Sequence, residues 1–292
     1  MSAVIRRIPV VATIRDAYIF TATQLGGIIG LIWVSMVMIT VARFFTFHRL
    51  YSDLTEYMAS GNAAPMGPAF LMLMAYLVAA LLLYAVMFVA VIQLAAGTRA
   101  APVFVHFTFG PMEWRMFRAF FAFVGLMMMI SFSLLLAANA FLTFLPGAKM
   151  GQEAMGGILV LILLGAGIAL AARFLLLLPA IAVHETGPVL RRAWALSVGH
   201  TMPLIGILLG LFLPLLLVFI TIDAVLGDRV TIAPGASQQA QMIAAFTHLR
   251  DTLPLTCGLS FFFSPVVIGL FASASASVWR ALKDEPVLDI AV

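Results

Sequence analysis

The chain is poor in charge and in cysteine, and these two shortages exclude several classes of protein. Of its 292 residues only 10% are charged and 64% are hydrophobic. A soluble domain carries roughly 25% charged residues, so an ordinary water-soluble enzyme and a disordered chain are both excluded. The one cysteine, Cys257, cannot form an intramolecular disulfide or a thiolate metal cluster. The composition therefore indicates a multi-pass membrane protein.

The sequence also lacks the common motifs of catalysis. It contains no Gly-x-x-x-x-Gly-Lys phosphate loop and no Gly-x-Ser-x-Gly nucleophile elbow. His184 and Glu185 begin like a zinc-protease helix, but Pro188 stands where the second histidine ligand would have to be. No pair of carboxylates lies within an apolar run. We therefore expect a protein that is not an enzyme and that needs no cofactor and no metal.

Long apolar segments predict an all-α fold, because a spanning helix needs about 20 mostly apolar residues. The whole chain, 1–292, is predicted to form a single transmembrane domain. A further helix near 237–253 carries an apolar stripe that includes Met242 and Phe246, and we expect it to lie on the outer membrane surface or against a partner. The six predicted transmembrane helices lie near 25–45, 69–96, 116–142, 156–183, 203–226 and 257–279.

Basic residues are distributed unevenly between the two sides of the predicted bundle. The N-terminal segment, the loops after the second and fourth helices and the C-terminal segment together hold ten arginines and lysines, against five on the other side. Cytoplasmic loops carry an excess of these residues, so both termini are predicted to be cytoplasmic. Trp114, Trp194 and Trp279 fall on the basic side, where we expect them to anchor the chain at the membrane interface.

A repeat of similar segments precedes the odd-numbered helices. Arg15-Asp-Ala-Tyr18 precedes the first helix and Arg191-Arg-Ala-Trp194 precedes the fifth, while a looser copy around Glu113 precedes the third. This spacing predicts three helical hairpins, each preceded by a short amphipathic helix on the cytoplasmic face. The alternative is that any interfacial stretch of arginines and aromatic residues looks alike.

Small residues recur at four-residue spacing in three of the predicted helices. Glycine and serine at this spacing let two membrane helices approach closely, so these positions are predicted to be helix contacts. The positions are Gly26, Gly30, Gly206, Gly210, Gly269, Ser273 and Ser277.

Arg173 is the main candidate for a binding site, because it lies inside a predicted membrane helix. It is about ten residues from the cytoplasmic end of the fourth helix, or roughly 15 Å deep, where a guanidinium costs at least about 2.5–3.5 kcal/mol. Ser131 and Ser133 of the third helix are predicted at a comparable depth. The site is either an anion or phospholipid-headgroup site or a structural arginine that ties helices together.

The segment that contains Arg173 resembles a known family of bacterial membrane proteins. Arg173, Pro179 and Glu185 are followed by Gly187 and then by Arg-Ala-Trp-Ala-Leu-Ser at 192–197. This order is similar to that in the six-helix family related to the membrane domain of glycerophosphoryl diester phosphodiesterases. The catalytic barrel of those enzymes has no counterpart here, so the resemblance implies no such activity.

The resemblance implies a location in the bacterial inner membrane and an association with phospholipid or the envelope. Arg173, Pro179 and Glu185 are the positions to which that association transfers. Glu185 is predicted to lie within reach of Arg191 or Arg192, and these three join Arg173 as candidates for lipid or anion binding.

Three function classes follow from these observations. The first is a non-enzymatic protein that organises the membrane or envelope, or acts as a subunit or assembly partner of a membrane complex. The second is a transporter or channel that moves phospholipid or small anions by means of Arg173. The third, an intramembrane enzyme, is disfavoured by the missing motifs. The expected partners are membrane phospholipids and a second membrane protein or another copy of the chain, with no role for nucleic acid.

Overall fold

The computed structural model describes residues 8–99, 109–144, 149–182, 197, 199–226 and 237–283. These residues form eight helices, with no strand in the described part of the chain. The helices are α1 (Val10–Thr23), α2 (Leu25–Ser60), α3 (Met66–Ala95), α4 (Pro111–Phe144), α5 (Lys149–Ala182), α6 (Thr201–Leu226), α7 (Gln238–Asp251) and α8 (Leu253–Lys283).

Six of these helices, α2 to α6 and α8, are long and apolar enough to cross a membrane. The prediction of an all-α, multi-pass membrane protein with six spans is therefore confirmed. We call the side on which α3 and α5 end the proximal side, and the side on which α2 and α4 end the distal side. The predicted basic side corresponds to the proximal side.

The last helix, α8, forms the centre of the bundle. It packs against α1, α2, α3 and α5, and from residue 268 to 279 nearly every position is buried. Most of these buried residues are Gly, Ala or Ser, which leave room for neighbouring backbones on every side. Trp279 lies in the same buried stretch, so its prediction as an interface anchor is wrong, whereas Trp114 is exposed.

Helix α1 is the first of the predicted amphipathic helices, and it packs into the bundle instead of lying free at its surface. Val10 contacts α6 at Gly206, Ile14 contacts it at Gly210, and Thr21 contacts α8 at Gly269. The hydroxyl of Tyr18 donates a hydrogen bond to the carbonyl of Leu211, 3.4 Å away. The glycines of α6 and α8 thus form part of the surface against which α1 packs.

The other two predicted amphipathic helices have different outcomes. The stretch before the third span is the beginning of α4 itself, where the Glu113 carboxylate accepts a hydrogen bond from the Gly110 backbone N–H at 2.9 Å. This is half of a capping box, which satisfies a free N–H group at the helix start. The stretch at 186–200 lies almost wholly outside the described residues.

Helix α2 is much longer than predicted, since it continues from the expected end at residue 45 to Ser60. Its 36 residues extend about 54 Å, whereas the hydrocarbon core of a membrane is about 30 Å thick. Ile39, Thr46 and Asp53 are all buried at seven-residue spacing, so one face of α2 stays packed beyond the apolar run. Arg49 pairs with Asp53 at 2.9 Å on this projecting part.

Helix α7 packs beside the projecting end of α2, and its location on the outer membrane surface or against a partner stays a prediction. Gln239 at the start of α7 donates a hydrogen bond to the Met58 carbonyl near the end of α2. Further along, Ser260 of α8 meets Arg43 of α2. This register makes α7 antiparallel to α2, and the two helices form a distal stalk from residues 46–60 and 238–251.

Helices α3 and α5 are buried in their proximal halves and expose apolar side chains in their distal halves. Val89 of α3 is fully buried, yet Leu71 is 70% exposed. Leu71 lies 18 positions earlier, which is five helical turns, so the two residues are on the same face of α3. On α5, Leu161 and Ile162 are 68% and 50% exposed, whereas Pro179 and Ala180, five turns later, are buried. The faces of α3 and α5 that are buried in the proximal half are therefore exposed in the distal half.

We call the surface formed by these exposed apolar faces the distal crevice. Its apolar walls are formed by Leu71 and Val78 of α3 and by Leu161, Ile162 and Leu164 of α5, all of them exposed. Helix α4 is equally peripheral, because its most apolar 18-residue window contains no buried residue.

Substitution of Gly269 tests the packing of α8. A Cβ atom there would lie 2.9 Å from both Ile28 Cδ1 and Thr21 Cγ2, so Gly269→Leu should lower the free energy of unfolding by about 1–3 kcal/mol through overpacking. Gly26→Leu is the matched control, because no described heavy atom lies within 4 Å of that site. Thermal unfolding in detergent measures both, and equal stability of the two variants would contradict the packing.

Candidate functional site

Arg173 lies on α5 in the packed part of the bundle, and its side chain is half-buried. Its neighbour Phe174 contacts Phe120 and Phe123 of α4, with ring centroids 5.6 and 4.5 Å apart. Ala172 on the other side is fully buried. The backbone of Arg173 is therefore enclosed by apolar and aromatic side chains. This packing restricts where its guanidinium can lie within the bundle.

The two predicted serine partners of Arg173 lie at a different level. Because Phe174 packs on Phe123 and Gly167 faces Met127, the antiparallel register of α4 and α5 places Arg173 near residue 123. Ser131 lies eight residues further along α4, or about 12 Å, and Ser133 lies further still and is exposed. The two serines thus lie two or more turns of α4 beyond the level of the Arg173 backbone.

The remaining predicted residues are placed only in part. Glu185, Arg191 and Arg192 lie outside the described residues. Pro179 is buried near the end of α5.

The seven positions that were predicted to be helix contacts differ in how closely other helices approach them. Gly206, Gly210 and Gly269 are contacted by α1, and Ser273 is buried. Ser277 and Gly30 are partly buried. Gly26 is exposed and no described heavy atom lies close to it, so nothing in the described structure supports a packing role at that position.

A second cationic site, which the sequence analysis did not single out, lies between α2, α3 and α8. The Arg43 guanidinium donates a hydrogen bond from Nη1 to the Ser260 hydroxyl at 2.8 Å. Both residues line a cavity of about 30 Å³, which has room for about two water molecules. We call it the Arg43 pocket. Its lining residues are Met36, Ile39, Thr40, Arg43, Tyr76, Tyr84, Met87, Cys257, Ser260 and Ser264.

The lining of the Arg43 pocket is rich in hydrogen-bond donors and contains a single charge. Tyr76, Tyr84 and Thr40 supply hydroxyl groups, and no carboxylate lines the cavity. The carboxylate of Asp53, ten residues along α2, is engaged with Arg49. Among the described residues no ion pair neutralises Arg43, so the pocket has a net positive charge.

Aromatic packing and a proline give the pocket its shape. Tyr76 is held at its position by an edge-to-face contact with Phe47 of α2, with centroids 5.6 Å apart. Pro265 lies inside α8, directly after Ser264, and a proline within a helix removes one backbone hydrogen bond. The Ser264 hydroxyl donates to the Ser260 carbonyl at 2.5 Å. A break in a membrane helix is tolerated where it lines a cavity.

Arg43 lies at the distal boundary of the membrane. It directly follows an uncharged run over 25–42, and a helix of that length extends about 27 Å, close to the thickness of the hydrocarbon core. In the sequence, Arg43 is one of the five basic residues on the less basic side. Its partners come from segments far apart in the chain, so no local spacing could reveal the pocket.

Neither Arg173 nor the Arg43 pocket has the composition of a metal centre. Among the described residues, no three side chains of the types His, Cys, Asp and Glu form a group able to hold a metal ion. No protein-family model, curated protein or solved structure matches the chain. The resemblance noted around Arg173 therefore stays a prediction from the residues that carry it.

Replacement of Arg173 distinguishes its two predicted roles. If the guanidinium binds a lipid phosphate, Arg173→Leu should remove anionic phospholipid from the protein while the fold persists, because leucine is compatible with hydrocarbon. Native mass spectrometry of gently extracted protein reports the bound lipid, and Arg118→Leu, an exposed position on α4, is the control. Unchanged lipid occupancy would leave Arg173 with a structural role.

Proposed function

We propose that this is a non-enzymatic membrane protein that holds another membrane component in its distal crevice. In this role it organises the membrane or envelope, or serves as a subunit or assembly partner of a membrane complex. The single observation that carries the proposal is the exposure of Leu71 and Leu161 on faces that are buried five turns away. Since its walls are apolar, the crevice suits a transmembrane helix of a partner protein or of a second copy.

The position of α4 supports the same proposal. None of the residues in its most apolar window is buried by the rest of the described chain, although large side chains such as Phe132 and Met129 lie on it. Helix α4 packs against α3 and α5, and the exposed side chains on its outer face are left for contacts with neighbours in the membrane. Association of membrane helices depends on such packing surfaces.

A second candidate function is phospholipid binding or transport. The walls of the distal crevice suit acyl chains as well as a partner helix, and a proline lies inside each of α5, α6 and α8. A proline inside a membrane helix leaves a backbone carbonyl without its helical partner, and such a carbonyl is tolerated where it lines a cavity. Arg173 supports this candidate if it binds a phosphate, as does the resemblance to the phosphodiesterase-related family.

A tryptophan in the distal crevice tests the first candidate against the second. Native mass spectrometry of protein extracted from its own membrane should show a stoichiometric protein complex. Leu161→Trp should disrupt that complex by filling the crevice, whereas Met202→Trp, an exposed position on the proximal side of α6, should leave it intact. A discrete bound lipid that Leu161→Trp removes, without any protein partner, would favour the second candidate and contradict the first.

We further propose that the protein lies in a bacterial inner membrane with both termini in the cytoplasm. The excess of arginine and lysine on the proximal side supports this orientation. It places the distal stalk outside the cytoplasm. The resemblance to a bacterial inner-membrane family supports the location.

A cysteine at the start of α7 tests the orientation. Ser237 is exposed, so Ser237→Cys in a Cys257→Ala background should react with an impermeant thiol reagent added to intact cells whose outer barrier is permeable to it. The Cys257→Ala protein alone should not react. Labelling that occurs only after lysis would reverse the orientation.

A further inference from the structure

We propose that the Arg43 pocket binds a phosphate oxyanion at the distal boundary of the membrane. This inference is independent of the partner proposed for the distal crevice, because the pocket lies between α2, α3 and α8 and shares no residue with the crevice walls. The ligand chemistry is a phosphate group with a free oxygen. Two sources supply that chemistry, the headgroup of a phospholipid in the distal leaflet and free inorganic phosphate.

Charge is the first reason for an anionic ligand. Arg43 is the one charged residue among those that line the pocket, and it is half-buried at the end of an apolar run. A guanidinium at this level of the membrane attracts the anionic groups of lipids. The described partner of Arg43 is the neutral hydroxyl of Ser260, which leaves the positive charge uncompensated. An anion in the cavity would supply the missing countercharge.

The shape of the donor set points to an oxyanion. Guanidinium and hydroxyl groups together offer several N–H and O–H donors, and a phosphate accepts hydrogen bonds from such groups through more than one oxygen. Tyr76 and Tyr84 occupy one wall of the cavity, and Ser260 and Ser264 occupy another. A cation would meet Arg43 repulsively, and a purely apolar ligand would leave the hydroxyl groups of Tyr76 and Tyr84 unpaired.

Size and location limit how the ligand is bound. The cavity of about 30 Å³ accepts a few atoms, so the phosphate oxygens enter and the rest of a phospholipid stays in the leaflet. The level of Arg43 at the end of the 25–42 run is that of lipid phosphates, where arginine and tyrosine side chains commonly lie.

The inference is tested by titrating purified protein in a neutral detergent with phosphatidylglycerol, with diacylglycerol of the same chains and with inorganic phosphate. Native mass spectrometry counts the bound molecules. We expect phosphatidylglycerol to bind and diacylglycerol not to bind. Arg43→Gln should raise the Kd of phosphatidylglycerol at least about tenfold, since a charge-assisted hydrogen bond is lost.

Two further variants keep the result interpretable. Arg49→Gln is the matched control, because it removes an arginine from the same helix that is already paired with Asp53, and it should leave the Kd unchanged. Tyr84→Phe removes one hydroxyl and keeps both the ring and the charge, so it should weaken binding by severalfold. This variant tests the pocket even if Arg43→Gln fails to fold.

The arms of the experiment separate the two sources of phosphate. Inorganic phosphate that binds alone, competes with phosphatidylglycerol and depends on Arg43 would identify a free-phosphate site. Phosphatidylglycerol binding without such competition would identify a lipid site. Equal effects of Arg43→Gln and Arg49→Gln, binding of diacylglycerol as tight as that of phosphatidylglycerol, or no binding of either phosphate probe would overturn the inference.

Discussion

Close packing around the small residues of α8 is the constraint on which the rest of the structure depends. Between residues 268 and 279 this helix is buried on nearly all sides, so α1, α2, α3 and α5 can reach it only because Gly, Ala and Ser occupy most positions. In lipid there is no hydrophobic drive between helices, and such close contacts must supply the stability. The distal part of α8 carries larger side chains such as Phe261 and Phe262, and there it packs against α2 through Arg43 and Ser260.

This division of α8 explains why the two candidate sites lie where they do. Beyond the level of the small residues, α3 and α5 expose the apolar side chains of the distal crevice. Pro265 lies inside α8 on the distal side of the small residues, and the Arg43 pocket forms between α2, α3 and α8. The closed proximal half thus supports an open distal half, in which an apolar surface and a separate cationic pocket face different neighbours.

Much of the fold was predictable because apolar run length is a strong signal. The six spans agree with the expected ones, but α2 continues well past residue 45. Its projecting part was not predicted because its buried positions include the polar residues Thr46 and Asp53, which do not extend the apolar run. Helix α7 was expected on the membrane surface because its apolar stripe suits lipid and helix contacts equally. Trp279 was expected at the interface because it falls on the basic side of the predicted bundle. The sequence does not show which helices cover it.

The candidate site was predictable only where a charge interrupts an apolar run. Arg173 stands out in the sequence for that reason, whereas its serine partners were chosen by depth alone and the register of α4 and α5 separates them. Arg43 lies at the end of a run, where an arginine is ordinary. Its pocket depends on Tyr84 and Ser260, which are brought to it by tertiary packing and by no pattern along the chain.

The central claim is that the bundle is closed proximally and open to apolar neighbours distally. Oxygen accessibility of a nitroxide label at position 71 or 161, in a Cys257→Ala background in nanodiscs, tests it most directly. The structure predicts an accessibility as high as at Leu217, an exposed position on α6. An accessibility as low as that of a packed core position at both sites would contradict the exposure of these faces of α3 and α5.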